Sequence, residues 1–391
     1  MGVRSRRAVG LAPLAALAGV AVPARPAPAQ EPVELGAPAA VSAEAFSSIS
    51  GLRELGDGTL LVADGLEGRL LRVSPDLRTA TPVGREGAGP GEYRTPDGLF
   101  AMAGDSTLMV DLGNGRLAVL APDASIRRTL PIAGGTGPAP TILLPRAVDA
   151  GGRVYFRQMG RPGPDGPPDS AAVARFDPRN GETVRLASVK LPEMHVRSGG
   201  AANAREEVIR PVPLSPQDAW TATPDGRLVV ARSDPRSYWL EIVDDGATSR
   251  GPEVAYEPVP VRGPDREAWI AALSGALGVS VEVENGRQRT TFSRGGAPAL
   301  DADDLEWPAT KPAFPEGALR AAPAGRFWLE RHVPAGGPRT FDVLDESGRR
   351  VGSVRLPAGR RLEAFGDGAV YLTRTDELDF VWLERYALPR L

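Results

Sequence analysis

The sequence predicts an all-β chain: a six-bladed β-propeller built from four-stranded antiparallel blades. Three observations predict it. Glycine (46) and proline (39) are spread through the 391 residues rather than clustered, which suits many short strands joined by turns. One hairpin pattern recurs six times along the chain. The last copy runs out of residues after its third strand, as expected of a ring closed by an N-terminal strand.

Each copy begins with a tight turn and a short apolar strand. The turns are Gly56-Asp57-Gly58 before "TLLVAD", Gly104-Asp105-Ser106 before "TLMVD" and Ala150-Gly151-Gly152 before "RVYFR". Pro224-Asp225-Gly226 before "RLVVAR", Pro323-Ala324-Gly325 before "RFWLER" and Gly366-Asp367-Gly368 before "AVYLTR" complete the set. Glycine in these places supplies the positive φ that a tight hairpin needs. The strands that follow repeat as well: "RLLRVSPD", "RLAVLAPD", "AAVARFDPRNG", "YWLEIVDDG", "TFDVLDESG" and "DFVWLERYAL". One blade cannot bury both of its faces, so the ring has to close. Pro32 to Leu35 are expected to supply the outer strand of the sixth blade.

Successive turns are 48, 46, 74, 99 and 43 residues apart. The two long intervals hold insertions at about 191–211 and 263–316. Each falls between the last strand of one blade and the first strand of the next. In a propeller that connection shares a face with the loops joining second and third strands, so both insertions cover one mouth of the channel. In the second, Pro264-Asp265-Arg266-Glu267 opens a helix with acids in its first turn, and Trp269, Leu273 and Leu277 form an apolar stripe. A lid over the mouth and a helix packed on a blade edge both fit this pattern.

Residues 1–29 read as a cleavable signal peptide, leaving 30–391 as the propeller. Arg4, Arg6 and Arg7 precede an apolar run from Val9 to Val22, and Ala27-Pro28-Ala29 offers a small-x-small cleavage site. The run is too short to span a bilayer. Ser5-Arg6-Arg7-Ala8-Val9 partly matches a twin-arginine signal. The expected destination is the periplasm or the medium. Removing the leader's four arginines takes Lys+Arg from 46 to 42 against 49 Asp+Glu. Such an acidic chain is a poor partner for nucleic acid or anionic lipid. Without cysteine there is no disulfide, thiolate metal site or lipidated amino terminus. No later segment reads as a membrane span, and a monomer is expected.

The stretch "VGREGAGPGEYRTPDGLF" (83–100) has alternating glycines at Gly87, Gly89 and Gly91. It lacks the Gly-Lys-Ser/Thr ending of a phosphate loop and leads into a strand. It is read as a corner between blades, with Tyr93 plugging the gap. Together with "LMVDLGNGRLAVL" it resembles one NHL-type repeat, with Asp111, Asn114 and Arg116 at the repeat's polar positions. Asp64 and Arg69 keep the same spacing in the first blade, with Glu67 in place of the Asn. The whole chain is similar to a group of exported bacterial six-bladed β-propellers. That resemblance implies fold and export, and no particular activity.

Several chemistries fail on composition. Two histidines, His195 and His332, cannot supply the several ligands of the zinc in peptide-amidating lyases. No Gly-x-Ser-x-Gly is present. Gluconolactonase-like propellers hold calcium with Glu, Asn and Asp, and Asp64, Glu92, Asp111 and Asn114 are candidate oxygens here. Turn and blade-edge bonding explains the same residues, so no metal ligand is assigned. "DADDLEW" (301–307) lacks a calcium loop's glycine and reads as solvated.

A charge pattern remains. The second strands end in Asp64, Asp111, Arg157, Arg232, Arg331 and Arg374, which six-fold symmetry arranges as a ring. The arginine arc, with His332 and Arg197 or Arg205 from the insertion, is a candidate site for a small anion such as a carboxylate, uronic acid or phosphate. The competing account pairs each arginine with a nearby acid such as Asp234 or Asp376. The expected function is non-catalytic binding of such an anion, or of a protein partner, at the channel mouth. A calcium-dependent lactonase or hydrolase on the same ring is the alternative.

Overall fold

The computed structural model describes residues 31–134, 141–158, 160, 167–199, 206–274, 277–284, 287–294 and 301–391. The predicted leader lies outside them. Pro32–Leu391 is one compact unit.

The unit is a six-bladed β-propeller. Blade 1 comprises Gly51–Glu54, Leu60–Asp64, Arg69–Val73 and Ala80–Pro82, from the channel outward. Blade 2 comprises Pro96–Ala101, Thr107–Asp111, Arg116–Leu120 and Ile126–Pro131. Blade 3 is Pro145–Val148, Val154–Gln158, Ser170–Asp177 and Glu182–Lys190. Blade 4 is Ala219–Ala222, Leu228–Ser233, Ser237–Asp244 and Ala247–Arg250. Blade 5 is Leu319–Ala322, Arg326–Arg331, Thr340–Leu344 and Arg350–Arg355. The chain's last three strands, Arg360–Gly366, Ala369–Thr375 and Val381–Ala387, begin blade 6.

Alternation of side chains across each second strand builds the ring. In blade 1, Leu61 and Ala63 pack towards blade 2 while Leu60 and Val62 pack towards blade 6. Both faces are covered, so the strand is apolar throughout rather than alternating. Six apolar clusters result, one between each pair of neighbours, and the last joins blade 6 to blade 1. Glycines 58, 104, 152, 226, 325 and 368 of the six repeated turns all have positive φ.

Closure differs from expectation. Ala40–Val41, not residues 32–35, is the outer strand of blade 6, pairing antiparallel with Arg385 and Glu384. Val33–Glu34 instead lies parallel to the outer strand of blade 5, and Leu35 fills the apolar seam between blades 5 and 6. The amino terminus therefore clasps two blades. An apolar "PVEL" signals a strand, but every blade offers a free outer edge, and the apolar pattern does not say which one it joins.

The 83–100 segment is a corner, as read. Tyr93 is buried between blades 1 and 2, donating to Val83 O (2.6 Å) and accepting from Leu70 N (2.9 Å). The Glu92 carboxylate folds back onto Gly89 N (2.8 Å), so close to Gly87 that a β-carbon there would collide with it.

Both insertions are present between blades. The first contains the hairpin Met194–Gly199 and Glu206–Pro211, and the second contains a helix, Gly263–Ser274, and a hairpin, Leu277–Glu284 and Arg287–Arg294. Leu277 therefore starts a strand and does not extend the helical stripe.

Candidate functional site at the channel mouth

The ring of residues ending the second strands is present, and its charges are mostly neutralised within each blade. In blades 1 and 2 the acid is on the second strand and its cation directly opposite on the third. Asp64 pairs with Arg69 (3.3 Å) and Asp111 with Arg116 (2.8 Å). Both acids are fully buried. Asp64 also accepts from Ser47 N, Ser48 N and the Ser48 hydroxyl, and Asp111 from Arg94 N and the Asn114 amide. Blade-edge bonding thus engages three of the candidate calcium oxygens, Asp64, Asp111 and Asn114. Among the described residues no three acidic or histidine side chains converge as metal ligands.

In blades 4, 5 and 6 the signs are exchanged. Arg232, Arg331 and Arg374 sit opposite Trp239, Thr340 and Trp382, and each meets the acid two residues farther along the third strand. Arg232 lies 2.5 Å from Glu241 and 2.6 Å from Asp218. Arg331 lies 3.4 Å from Asp342, and Arg374 3.2 Å from Glu384. Residues two apart on a strand share a face, which brings the diagonal pair together. Asp234 and Asp376 do other work: Asp234 caps Arg236 N and Ser237 N, and Asp376 accepts from the Trp382 indole. Arg232, Arg331 and Arg374 are therefore each held in an ion pair within their own blade.

Blade 3 breaks the pattern. Arg157 sits opposite Val173, and two residues on stands Arg175 rather than an acid. Among the described residues Arg157 forms no ion pair. Beside it, the innermost strand of blade 3 bulges at Arg146, between the pairs Pro145–Phe156 and Ala147–Tyr155. A bulge re-aims its side chain. Arg146 crosses the inner strand of blade 4, donating Nε to Trp220 O (3.1 Å), and reaches Gly317 at the start of blade 5. A β-carbon on Gly317 would lie 2.8 Å from Arg146 Nη2, which is buried and has no hydrogen-bond partner among the described residues. Arg320 meets the same residue, donating Nη1 to Gly317 O (2.9 Å).

Burial, then the neighbouring Arg320 cation, draw Arg146 down to about 10; Glu316 opposes this, and Arg157 adds a smaller push in the same direction as Arg320. Burial also lowers Arg320, with Glu363 and Glu330 opposing and Arg361 adding to the effect. At pH 7 these arginines remain charged. For Arg146 the shift records burial beside like charge, whereas at the exposed Arg320 the nearby acids Glu363 and Glu330 offset the effect.

His332 and the helix form a separate cluster. The Asp265 carboxylate caps Arg262 N (2.8 Å), accepts from Ala335 N (2.7 Å) and pairs with Lys311 (2.7 Å), which also donates to Val333 O (2.7 Å). The helix is thereby anchored to the loop 332–339 of blade 5, on the mouth face. Burial first, and then the Lys311 cation, pull His332 down to about 4, against the opposing effect of Asp265. It is a neutral imidazole at pH 7, not a cation of the arginine arc. The side chain of Arg197 and residue Arg205 lie outside what is described. His195 is exposed in the first inserted hairpin. The acidic 301–307 segment is a short exposed turn in which Asp301 caps Asp303 N.

No protein-family model matches the chain, and no curated protein matches it. Solved structures do. A gluconolactonase of Xanthomonas campestris aligns over 93% of this chain and 99% of its own, at 15% identity and a TM-score of 0.42. A DUF4221-family protein of Bacteroides vulgatus aligns over 91% and 97%, at 10% identity and 0.44. A protein of Bacteroides fragilis described as exported aligns over 92% and 95%, at 10% and 0.41. Among the described residues no helix is long and apolar enough to cross a membrane.

Proposed function

We propose that this chain is an exported, monomeric β-propeller that binds a small anion at the channel mouth without converting it. The leader at 1–29 directs it to the periplasm or the medium. The observation that carries the reading is the exception in blade 3. Five blades place an acid against the arginine at this edge, whereas blade 3 places Arg175 beside Arg157 and turns Arg146 towards Arg320. Gathering desolvated cations is unfavourable unless an anion offsets it, and guanidinium forks suit carboxylate oxygens. Both insertions flank blade 4, between the arginines of blades 3 and 5.

Isothermal titration of the purified protein with glucuronate, a monocarboxylate, tests the reading. Arg146→Ala and Arg157→Ala are expected to weaken binding at least about tenfold each, and added salt to weaken it further. Arg232→Ala should lower the melting temperature and leave affinity unchanged. Equal affinity in wild type, Arg146→Ala and Arg157→Ala would contradict the reading.

A further inference from the structure

The bulge at Arg146 has a counterpart on the opposite side of the ring. The innermost strand of blade 6 bulges at Glu363, between the pairs Leu362–Leu372 and Ala364–Tyr371. Blades 3 and 6 are three steps apart in a six-membered ring, so the two bulged side chains leave the sheet from facing blades. Both strands surround the central channel.

Glu363 is not built as a structural ion pair. One oxygen accepts from the Thr373 hydroxyl (2.8 Å), itself on the buried second strand of the blade. Arg361, Arg320 and Arg339 stand around the carboxyl, yet among the described residues none forms an ion pair with it. Arg339 is committed to Glu330 at 2.5 Å. Burial raises the carboxyl above its usual range despite these three cations. The acid in the paired blades behaves differently: Glu384, which is buried, is pushed up by burial but held low by Arg360, Tyr386 and Arg374.

On the reading that the arginines of blades 3 and 5 bind an anion, we propose that Glu363 is the specificity-determining residue of that site. It accepts a hydrogen bond from a hydroxyl on the far end of the ligand and repels a second negative charge. The ligand class is then a hydroxylated monocarboxylate, and dianions such as sulfate and phosphate esters are rejected. An ammonium group at that end is disfavoured by Arg320, Arg361 and Arg339, which leaves a neutral donor as the match.

The probes are glucuronate, a hydroxylated monoanion, and sulfate, a dianion across the working pH range. Wild type is expected to bind glucuronate at least about tenfold more tightly than sulfate at pH 7.5. Glu363→Gln keeps the shape and the Thr373 contact while removing the charge. It should tighten sulfate about fivefold or more and leave glucuronate unchanged or weaker. Without any substitution, sulfate should bind more tightly to wild type on acidification, as Glu363 takes up a proton. Glucuronate stays ionised and should change less. If glucuronate and sulfate both bind, but neither Glu363→Gln nor pH alters their ratio, the role of Glu363 is overturned and the anion site stands. If neither probe binds wild type, the anion site fails and this inference fails with it.

Discussion

Arg157 and Arg175 share the diagonal of blade 3 on which Arg232 meets Glu241, Arg331 meets Asp342 and Arg374 meets Glu384. Repetition makes this informative. A lone unpaired arginine at a loop edge needs no explanation, since many surface cations have no partner. Here five equivalent positions solve the same electrostatic problem in two ways, with blades 1 and 2 reversing the signs. The sixth position leaves it unsolved beside a second arginine whose buried Nη2 has no hydrogen-bond partner among the described residues.

The paired diagonals are predicted to be structural. Glu384 is 2% exposed, lies 3.0 Å from Arg360 and 3.2 Å from Arg374, and accepts from the Tyr386 hydroxyl. Glu384→Gln strands two partly buried guanidiniums and is expected to cost about 3–5 kcal/mol. Chemical denaturation measures it. Glucuronate affinity should persist in the folded fraction.

Acid sensitivity is predicted at the helix anchor. His332 is held neutral to about 4, below its value of about 6.5 in an unfolded chain. Between those values the unfolded state takes up a proton that the folded state refuses, so stability falls as pH drops from 6.5 towards 4. With solvent screening at a half-buried side chain, the loss is about 1–3 kcal/mol. Melting curves at pH 7 and pH 5 should show a smaller difference for His332→Gln than for wild type.

The two-blade clasp makes a prediction about truncation. Ser42 exchanges hydrogen bonds with Leu383, donating its N–H to the carbonyl (2.8 Å) and accepting at its hydroxyl (3.1 Å). Ala40–Val41 covers the same strand. Removing residues 1–45 bares the Val381–Ala387 edge, and an unpaired edge recruits other chains. Concentration-dependent association and a melting temperature lower by about 5 °C or more are expected. Removing residues 1–38 loses only the graft on blade 5 and should be milder, without association.

Much of this was legible in the sequence, because the repeat is written in backbone chemistry. The turn glycines and doubly apolar second strands set blade number and strand order before any contact is known. The Asp111 to Arg116 spacing already marks a cross-strand pair. The acid partners of Arg331 and Arg374 were missed because the pairing is diagonal. Proximity in sequence suggests Asp376, whereas the register selects Glu384. Once the strands are aligned, Arg175 stands out as the residue where an acid belongs. Arg146 and Glu363 left no such signal. Their positions depend on bulges, and a bulge arises from how an inner strand bends around the channel rather than from a residue pattern. His332 was read with the arginine arc because the charged neighbours that act on it, Lys311 and Asp265, stand far from it in the sequence.

Arg175→Glu tests the central claim most directly, because it restores to blade 3 the diagonal pair of the other arginine blades. With an acid beside it, Arg157 should close an ion pair of its own. Titration with glucuronate is expected to show affinity at least about tenfold weaker than wild type, with the melting temperature unchanged or higher. Arg175→Ala, which removes the cation without supplying an acid, should bind within about threefold of wild type. An Arg175→Glu protein that is folded and binds as wild type does would contradict the account, since the missing acid of blade 3 would then have no bearing on the site.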